Sequence, residues 1–155
     1  MAQTVGIEDS SDQCITGILE STPSDRFRAA GDQSMVRDLQ TGLVWQRCSL
    51  GQQWNGRSCV GNPAEMRWEE AAMAASQLNG WRLPSTEELL TLVESCRVKP
   101  TINLNAFPET PDGHFWSSNQ FDGRNGYAWY VNFRYGFKIW FATDNRIYAR
   151  LVRDH

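Results

Sequence analysis

The stretch Trp81-Arg82-Leu83-Pro84-Ser85-Thr86-Glu87-Glu88-Leu89-Leu90 limits the fold more than any other ten residues of this chain. Pro84 has no amide hydrogen and keeps Leu83 extended, so a strand must stop there. Ser85 and Glu88 form a capping box. The serine oxygen accepts from the amide three residues on, and the glutamate reaches back. Leu89, Leu92, Val93 and Cys96 then recur at i, i+3, i+4 and i+7, the apolar stripe of a helix over about 86–96. One short segment thus defines a strand end, a helix start and a buried face. Its residue types are those of a scaffold. Arg82, Glu87 and Glu88 read as orienting or capping groups, and Glu87 and Glu94 as solvated surface charges.

A chain of 155 residues is one domain with room for a real core. Residues 1–13 are polar and aperiodic, which predicts a disordered tail, and 14–155 form the single domain. Seven tryptophans and twelve glycines predict an irregular, loop-rich fold pinned by aromatic anchors rather than a helical bundle. No apolar run reaches the length of a membrane-spanning helix, so direct membrane insertion is not expected. Nor is there a signal-peptide core.

No two of Cys14, Cys48, Cys59 and Cys96 are separated by two residues, and His114 and His155 lie far from them, so a structural metal is not expected. Four cysteines allow three pairings. The favoured one is Cys48–Cys59, closing a Gly-rich loop, with Cys14–Cys96, tying the N-terminal segment to the second helix. Disulfides imply export, to the periplasm, cell surface or exterior. The competing reading is four reduced thiols in a cytosolic protein.

In chain order, 14–19 reads as a short strand. Residues 35–38 and 43–46 form a hairpin about Thr41-Gly42, and 49–63 a loop with Trp54 as a local plug. Trp68, Ala71, Ala72, Ala75 and Leu78 predict a helix over about 67–78, stopped by Asn79-Gly80. Residues 97–114 carry three prolines and predict a long loop anchored by Ile102, Leu104 and Phe107. Strands at 115–118, 127–133, 137–142 and 147–153 predict a four-stranded antiparallel meander. The fold class is α+β, two helices packed on a twisted antiparallel sheet with long loops.

Catalytic signals are sparse. His114 has no nucleophile motif near it and reads as a loop-end residue. No carboxylate pair marks a glycosidase, and no glycine loop marks a phosphate site. Asp144-Asn145 is the best calcium candidate, but calcium takes six to eight oxygens and no loop here is that rich. Nothing points to nucleic acid. The informative region is the end. From Asn119 onward six cations (Arg124, Arg134, Lys138, Arg146, Arg150, Arg153) face three carboxylates, in a chain whose net charge is −3. Tyr, Phe, Trp and Asn crowd the same segment. Strand alternation sends about half of these outward, which predicts a recognition surface. A second small core under the 97–114 loop is the competing reading.

Several blocks resemble the Lcl C-terminal domain family, a bacterial domain named for a collagen-like adhesin. They are Asp38-Leu39-Gln40-Thr41-Gly42-Leu43-Val44-Trp45, Trp68-Glu69-Glu70-Ala71, Trp81-Arg82-Leu83-Pro84 with Glu87-Glu88-Leu89, and Phe107-Pro108. Phe115-Trp116-Ser117-Ser118, Ala128-Trp129-Tyr130-Val131-Asn132-Phe133 with Gly136, and Arg150-Leu151-Val152-Arg153 complete the set. The resemblance covers about 35–153. It implies a C-type-lectin-like fold in the broad sense and an exported, non-catalytic binding module with a protein or glycan ligand. The same broad fold includes formylglycine-generating enzymes, so an exported enzyme of that type, or a hydrolase, is the alternative. An anionic-glycan binder using the arginines is a third reading. The glutamate-proline-asparagine and tryptophan-asparagine-aspartate motifs of calcium-dependent lectins are missing.

Residues 130–137 also look like the variable region of proteins diversified by retroelements, with scaffold residues (Trp129, Val131, Phe133, Gly136) alternating with arbitrary ones. On that likeness the displayed positions are Asn119, Asp122, Arg124, Tyr127, Tyr130, Arg134, Tyr135, Phe137, Ile139, Trp140, Phe141, Ile147 and Tyr148.

Overall fold

Short-range chemistry builds the first sheet. Gly42 takes φ +79°, a region costly for a side chain, and reverses the chain between β2 (Met35–Asp38) and β3 (Val44–Gln46). The computed structural model describes residues 14–123 and 125–155, so the tail at 1–13 and Arg124 lie outside the described residues. β1 (Phe27–Ala30), absent from the sequence reading, lines up antiparallel to β2 with Phe27 opposite Asp38. A buried ion pair ties its approach, with Arg26 Nε and Nη2 donating to Asp38 at 2.7 and 2.6 Å. Within the 49–63 loop, β4 (Gln53–Trp54) and β5 (Cys59–Val60) pair as a ribbon spanned by the Cys48–Cys59 disulfide. Trp54 is half-buried beneath the Arg47 guanidinium, 4.4 Å from its ring centre.

The helices are shorter than periodicity suggested. α1 covers Trp68–Ser76 and buries Ala71 and Ala75, leaving Leu78 beyond its end and exposed. α2 covers Thr86–Leu90 alone. Its capping box is complete, with Ser85 Oγ accepting from the Glu88 amide at 3.1 Å and Glu88 Oε1 accepting from the Ser85 amide at 2.8 Å. Leu92 and Cys96 are still buried, because the turns after α2 keep the chain against the core. Arg82 is clamped by Glu88 at 2.8 and 2.9 Å and by Asp154 at 2.7 Å.

The second sheet contains β6 (His114–Gln120), β7 (Tyr127–Asn132) and β8 (Phe137–Ala142) as an antiparallel meander of three strands, not four. After β8 the chain adds no fourth antiparallel strand. Ile147 bridges Met66, Tyr148 bridges Phe115, and β9 (Val152–Arg153) pairs with β3 in the first sheet. Burial accompanies this path: Ile147, Ala149 and Leu151 enter the core under α1, Val152 enters the other core, and Arg150 is interior as well. The segment at 14–19 is likewise a turn and not a strand.

Alternation along the β6–β7 pair separates two cores. Phe115 and Val131, which face each other, pack with Leu89 and Leu92 from α2 and its following turn, and with Ile102, Phe107 and Phe133. Trp116 and Tyr130, the next pair, pack with Ala71 and Ala75 of α1 and with Ile147, Ala149 and Leu151. Successive residues of a strand face opposite sides, so the helices cover opposite faces of this sheet. The domain is α+β and mostly sheet.

The N-terminal segment is held by a residue expected at the surface. Glu94 is buried, and its carboxylate accepts from the Ser21 and Thr22 amides at 2.7 Å each, Thr22 Oγ1 at 2.6 Å and the Cys96 amide at 3.1 Å. The correction is physical: amides that would lack partners draw the carboxylate inward. Burial pushes the Glu94 carboxyl up, but hydrogen bonds from Thr22, Ser21 and Cys96 outweigh it and hold it below the usual glutamate range. A carboxyl lowered in the folded state contributes stability above its unfolded value of about 4.5, and that contribution vanishes as pH falls through the folded value. Thermal melts in acid should therefore show a shallower loss for Glu94→Gln than for the parent, from a lower neutral starting point. Parallel pH profiles would exclude Glu94 from the acid response.

Candidate functional site

The β7–β8 turn is built to present side chains. Asn132 is buried, and its Oδ1 accepts from the amides of Arg134 at 2.7 Å and Tyr135 at 3.3 Å. Gly136 has φ +89°, and a Cβ there would meet Val93 Cγ1 at 2.8 Å, so only glycine fits. The loop at 101–110 buttresses the turn from behind, with the Thr101 amide donating to Phe133 O at 2.6 Å. Around this fixed backbone, Tyr135 is 52% exposed, Phe137 44% and Trp140 43%.

At the other end of β8 lies a ring cluster. Trp140 stacks on Phe121 with centroids 4.7 Å apart, and Trp129 meets Trp140 edge-on at 5.6 Å, its cross-strand partner. Beside Trp129 opens a groove of about 310 Å³ lined by Ser85, Thr86, Glu87, Asn119, Gln120, Asp122 and Lys138. Asn119 Oδ1 anchors one wall, accepting from the Thr86 amide at 2.8 Å and Thr86 Oγ1 at 2.9 Å.

The thirteen expected display positions divide. Asn119, Asp122, Arg134, Tyr135, Phe137 and Trp140 are exposed. Tyr130 and Ile147 are not displayed. Both are buried in the core under α1, where Tyr130 packs against Trp116 and His114. Burial also pushes the Tyr130 hydroxyl up. Ile139 and Phe141 pack against the same core, and Tyr148 against Phe115, so these three are half-buried supports. Tyr127 is half-buried, and Arg124 lies outside the described residues. Alternation misled here because both faces of this sheet are covered by helices, so facing away from one core means facing the other. His114 is half-buried at the start of β6 and stacked on Tyr130, and burial holds its imidazole below the usual range.

The expected basic surface is largely neutralised. Arg134 pairs with Asp112 at 3.3 Å, Lys138 with Glu87 at 3.2 Å and Arg146 with Glu70 at 3.2 Å. Arg153 lies over the Trp81 ring at 4.8 Å, and Arg150 is wholly interior. Sequence reasoning missed the groove. Phe121, Gln120 and Lys138 carried no motif, Trp129 read as scaffold, and Ser85-Thr86 read purely as a cap. Asn119 and Asp122 alone among its lining residues were expected as displayed positions, from the likeness to a variable region.

All four cysteines are joined, Cys14 to Cys96 and Cys48 to Cys59. Cys14, Glu94 and Cys96 are the only described residues grouped closely enough to hold a metal, and both sulfurs there are in the disulfide.

Fold and surface together define a small disulfide-bonded α+β domain with an exposed aromatic edge on a rigid sheet. The chain belongs to the Lcl C-terminal domain family, whose sequence profile matches residues 34–153. No curated protein matches it. Family membership and the two disulfides are consistent with an exported protein, and among the described residues no helix is long and apolar enough to cross a membrane.

Proposed function

We propose that this domain is an exported, non-catalytic recognition module that presents its C-terminal aromatic surface to a protein or glycan ligand. One observation carries the reading. Tyr135, Phe137 and Trp140 are large and exposed, Tyr135 and Phe137 at the β7–β8 turn and Trp140 further along β8 on the opposite face from Phe137, with the backbone held by buried Asn132 and Phe133 and by Gly136. Exposed aromatics on a rigid support offer large contact area at small entropic cost, as binding surfaces do. A C-type-lectin-like fold in the broad sense accords with two helices flanking a C-terminal meander. The closeness of fixed interior residues and arbitrary exposed ones supports a region open to diversification by a retroelement. A near-copy of the gene's 3′ end, differing mainly at adenines and beside a reverse transcriptase, would test that part; its absence would end it. The pairing of all four cysteines favours this reading over a thiol-dependent enzyme.

The test is a screen of surface proteins and glycans, followed by the triple variant Tyr135→Ala, Phe137→Ala, Trp140→Ala. Affinity for the partner found should drop by at least about 30-fold. Tm should stay within about 4 °C, because these side chains carry little of the core. Unchanged affinity in a folded triple variant would sink the proposal. Tyr130 does not belong in such a test, since its removal opens the core.

A further inference from the structure

We infer that the groove beside Trp129 binds one ring of a neutral saccharide. This rests on the recognition reading above and names the ligand class for one part of that surface. Four observations converge. The groove, about 310 Å³, lies at the small end of the range for small-molecule sites and admits little more than a sugar ring and its substituents. Its apolar wall is the Trp129 indole, buttressed edge-on by Trp140, which stacks in turn on Phe121, with the Lys138 Nζ 5.3 Å from the Trp129 ring centre. An aromatic face carries negative charge density, and the C–H groups on one face of a pyranose are slightly positive, so a sugar lies flat against such a wall.

Its polar wall has hydrogen-bonding groups still unused. Asn119 uses its Oδ1 on Thr86, which leaves both Nδ2 hydrogens. The Gln120 amide and the Asp122 carboxylate, both exposed, have no side-chain partner among the described residues. Planar amides and carboxylates offer two adjacent donor or acceptor sites, the spacing that neighbouring ring hydroxyls match.

Charge selects among sugars. Among the described residues lining the groove Lys138 is the one cation, and its Nζ is held 3.2 Å from Glu87 Oε2. Asp122 adds a carboxylate with no ion-pair partner among the described residues. A sulfated or acidic glycan would meet like charge there, whereas a neutral one loses nothing. The same argument disfavours a phosphate-bearing ligand.

The test probes an array of neutral and sulfated oligosaccharides with the intact domain, then titrates the leading neutral oligosaccharide against tryptophan fluorescence. Expected are binding to neutral members, a change in emission from the lining indole, and little dependence on salt. Asp122→Ala and Gln120→Ala, both at exposed positions that leave the fold intact, should each weaken binding about tenfold. Arg57→Ala, exposed in the loop at 49–63 and outside both the groove and the aromatic surface, should match the parent. Binding confined to sulfated members, an array with no neutral binder, or parental affinity in both groove variants would overturn the inference. A protein partner that is lost in the triple variant but kept in Asp122→Ala and Gln120→Ala, beside such an array, overturns the saccharide inference while the recognition reading stands. Full binding by the triple variant defeats the recognition reading itself.

Discussion

Replacing Arg150 by alanine should destabilise the domain by about 4 kcal/mol. Arg150 is 1% exposed and has no carboxylate partner among the described residues. Its Nη1 donates to the backbone oxygens of Gln46 and Arg47. Its Nη2 donates to Thr110 Oγ1 at 2.7 Å and Ser49 Oγ at 3.4 Å. The guanidinium lies over the rings of Phe107 and Phe115, 4.8 and 5.7 Å from their centres. Burial pushes the group down to about 9, which leaves it charged at neutral pH.

One side chain thus stitches three separate parts of the chain: the end of β3, the loop around Thr110 and the approach to β9. Alanine removes the donors, leaves carbonyl oxygens facing a void, and takes the filling from between two rings. Arg150→Met keeps most of the volume and should cost less. Arg150→Lys keeps the charge but lacks the planar fork, and should fall between. Denaturant midpoints at constant slope measure this series. A loss under about 1 kcal/mol for alanine would mean that water or a rearranged loop replaces the guanidinium.

The second large effect concerns the two disulfides, which should differ in what they contribute. Cys14–Cys96 closes a separation of 82 residues and Cys48–Cys59 one of 11. In the chain-entropy account the long closure is worth about 4 kcal/mol and the short one about 3. The long bridge also has a local partner. The Ile15 amide donates to Cys96 O at 2.6 Å, and the Ser21 and Thr22 amides reach Glu94, two residues from Cys96. Cutting the bridge frees the segment that satisfies the buried carboxylate, so the loss should exceed the entropic figure. Cys14→Ala with Cys96→Ala is compared with Cys48→Ala with Cys59→Ala by urea unfolding. An equal or larger loss in the short-loop pair would contradict this ranking.

Glu94 and Arg150 show why some of the molecule was hidden from the sequence. Both carry full charges, and charged side chains are seldom interior unless paired. Nothing within ten residues of Glu94 announces that the Ser21 and Thr22 amides, more than seventy positions away, will need an acceptor. Nothing near Arg150 announces two carbonyls a hundred positions upstream. The candidate site divided in the same way. Tyr135 and Phe137 could be placed at the surface because a turn at Arg134-Tyr135-Gly136 is a local matter. Tyr130 could not, because its exposure depends on whether α1 covers that face.

The sequence by itself determined what neighbouring residues settle among themselves. The Pro84-Ser85-Glu88 helix start, the Thr41-Gly42 reversal, the β7–β8 meander and the family blocks all depend on steric and hydrogen-bonding limits within a few bonds. Tertiary structure alone decided which strand receives Val152–Arg153, which charges go inside, and how Asn119, Asp122, Trp129 and Lys138 come to line one groove with Ser85 and Thr86. Those outcomes depend on which surfaces remain uncovered once the elements pack. No single segment carries that information, because burial is a property of the other segments that surround it.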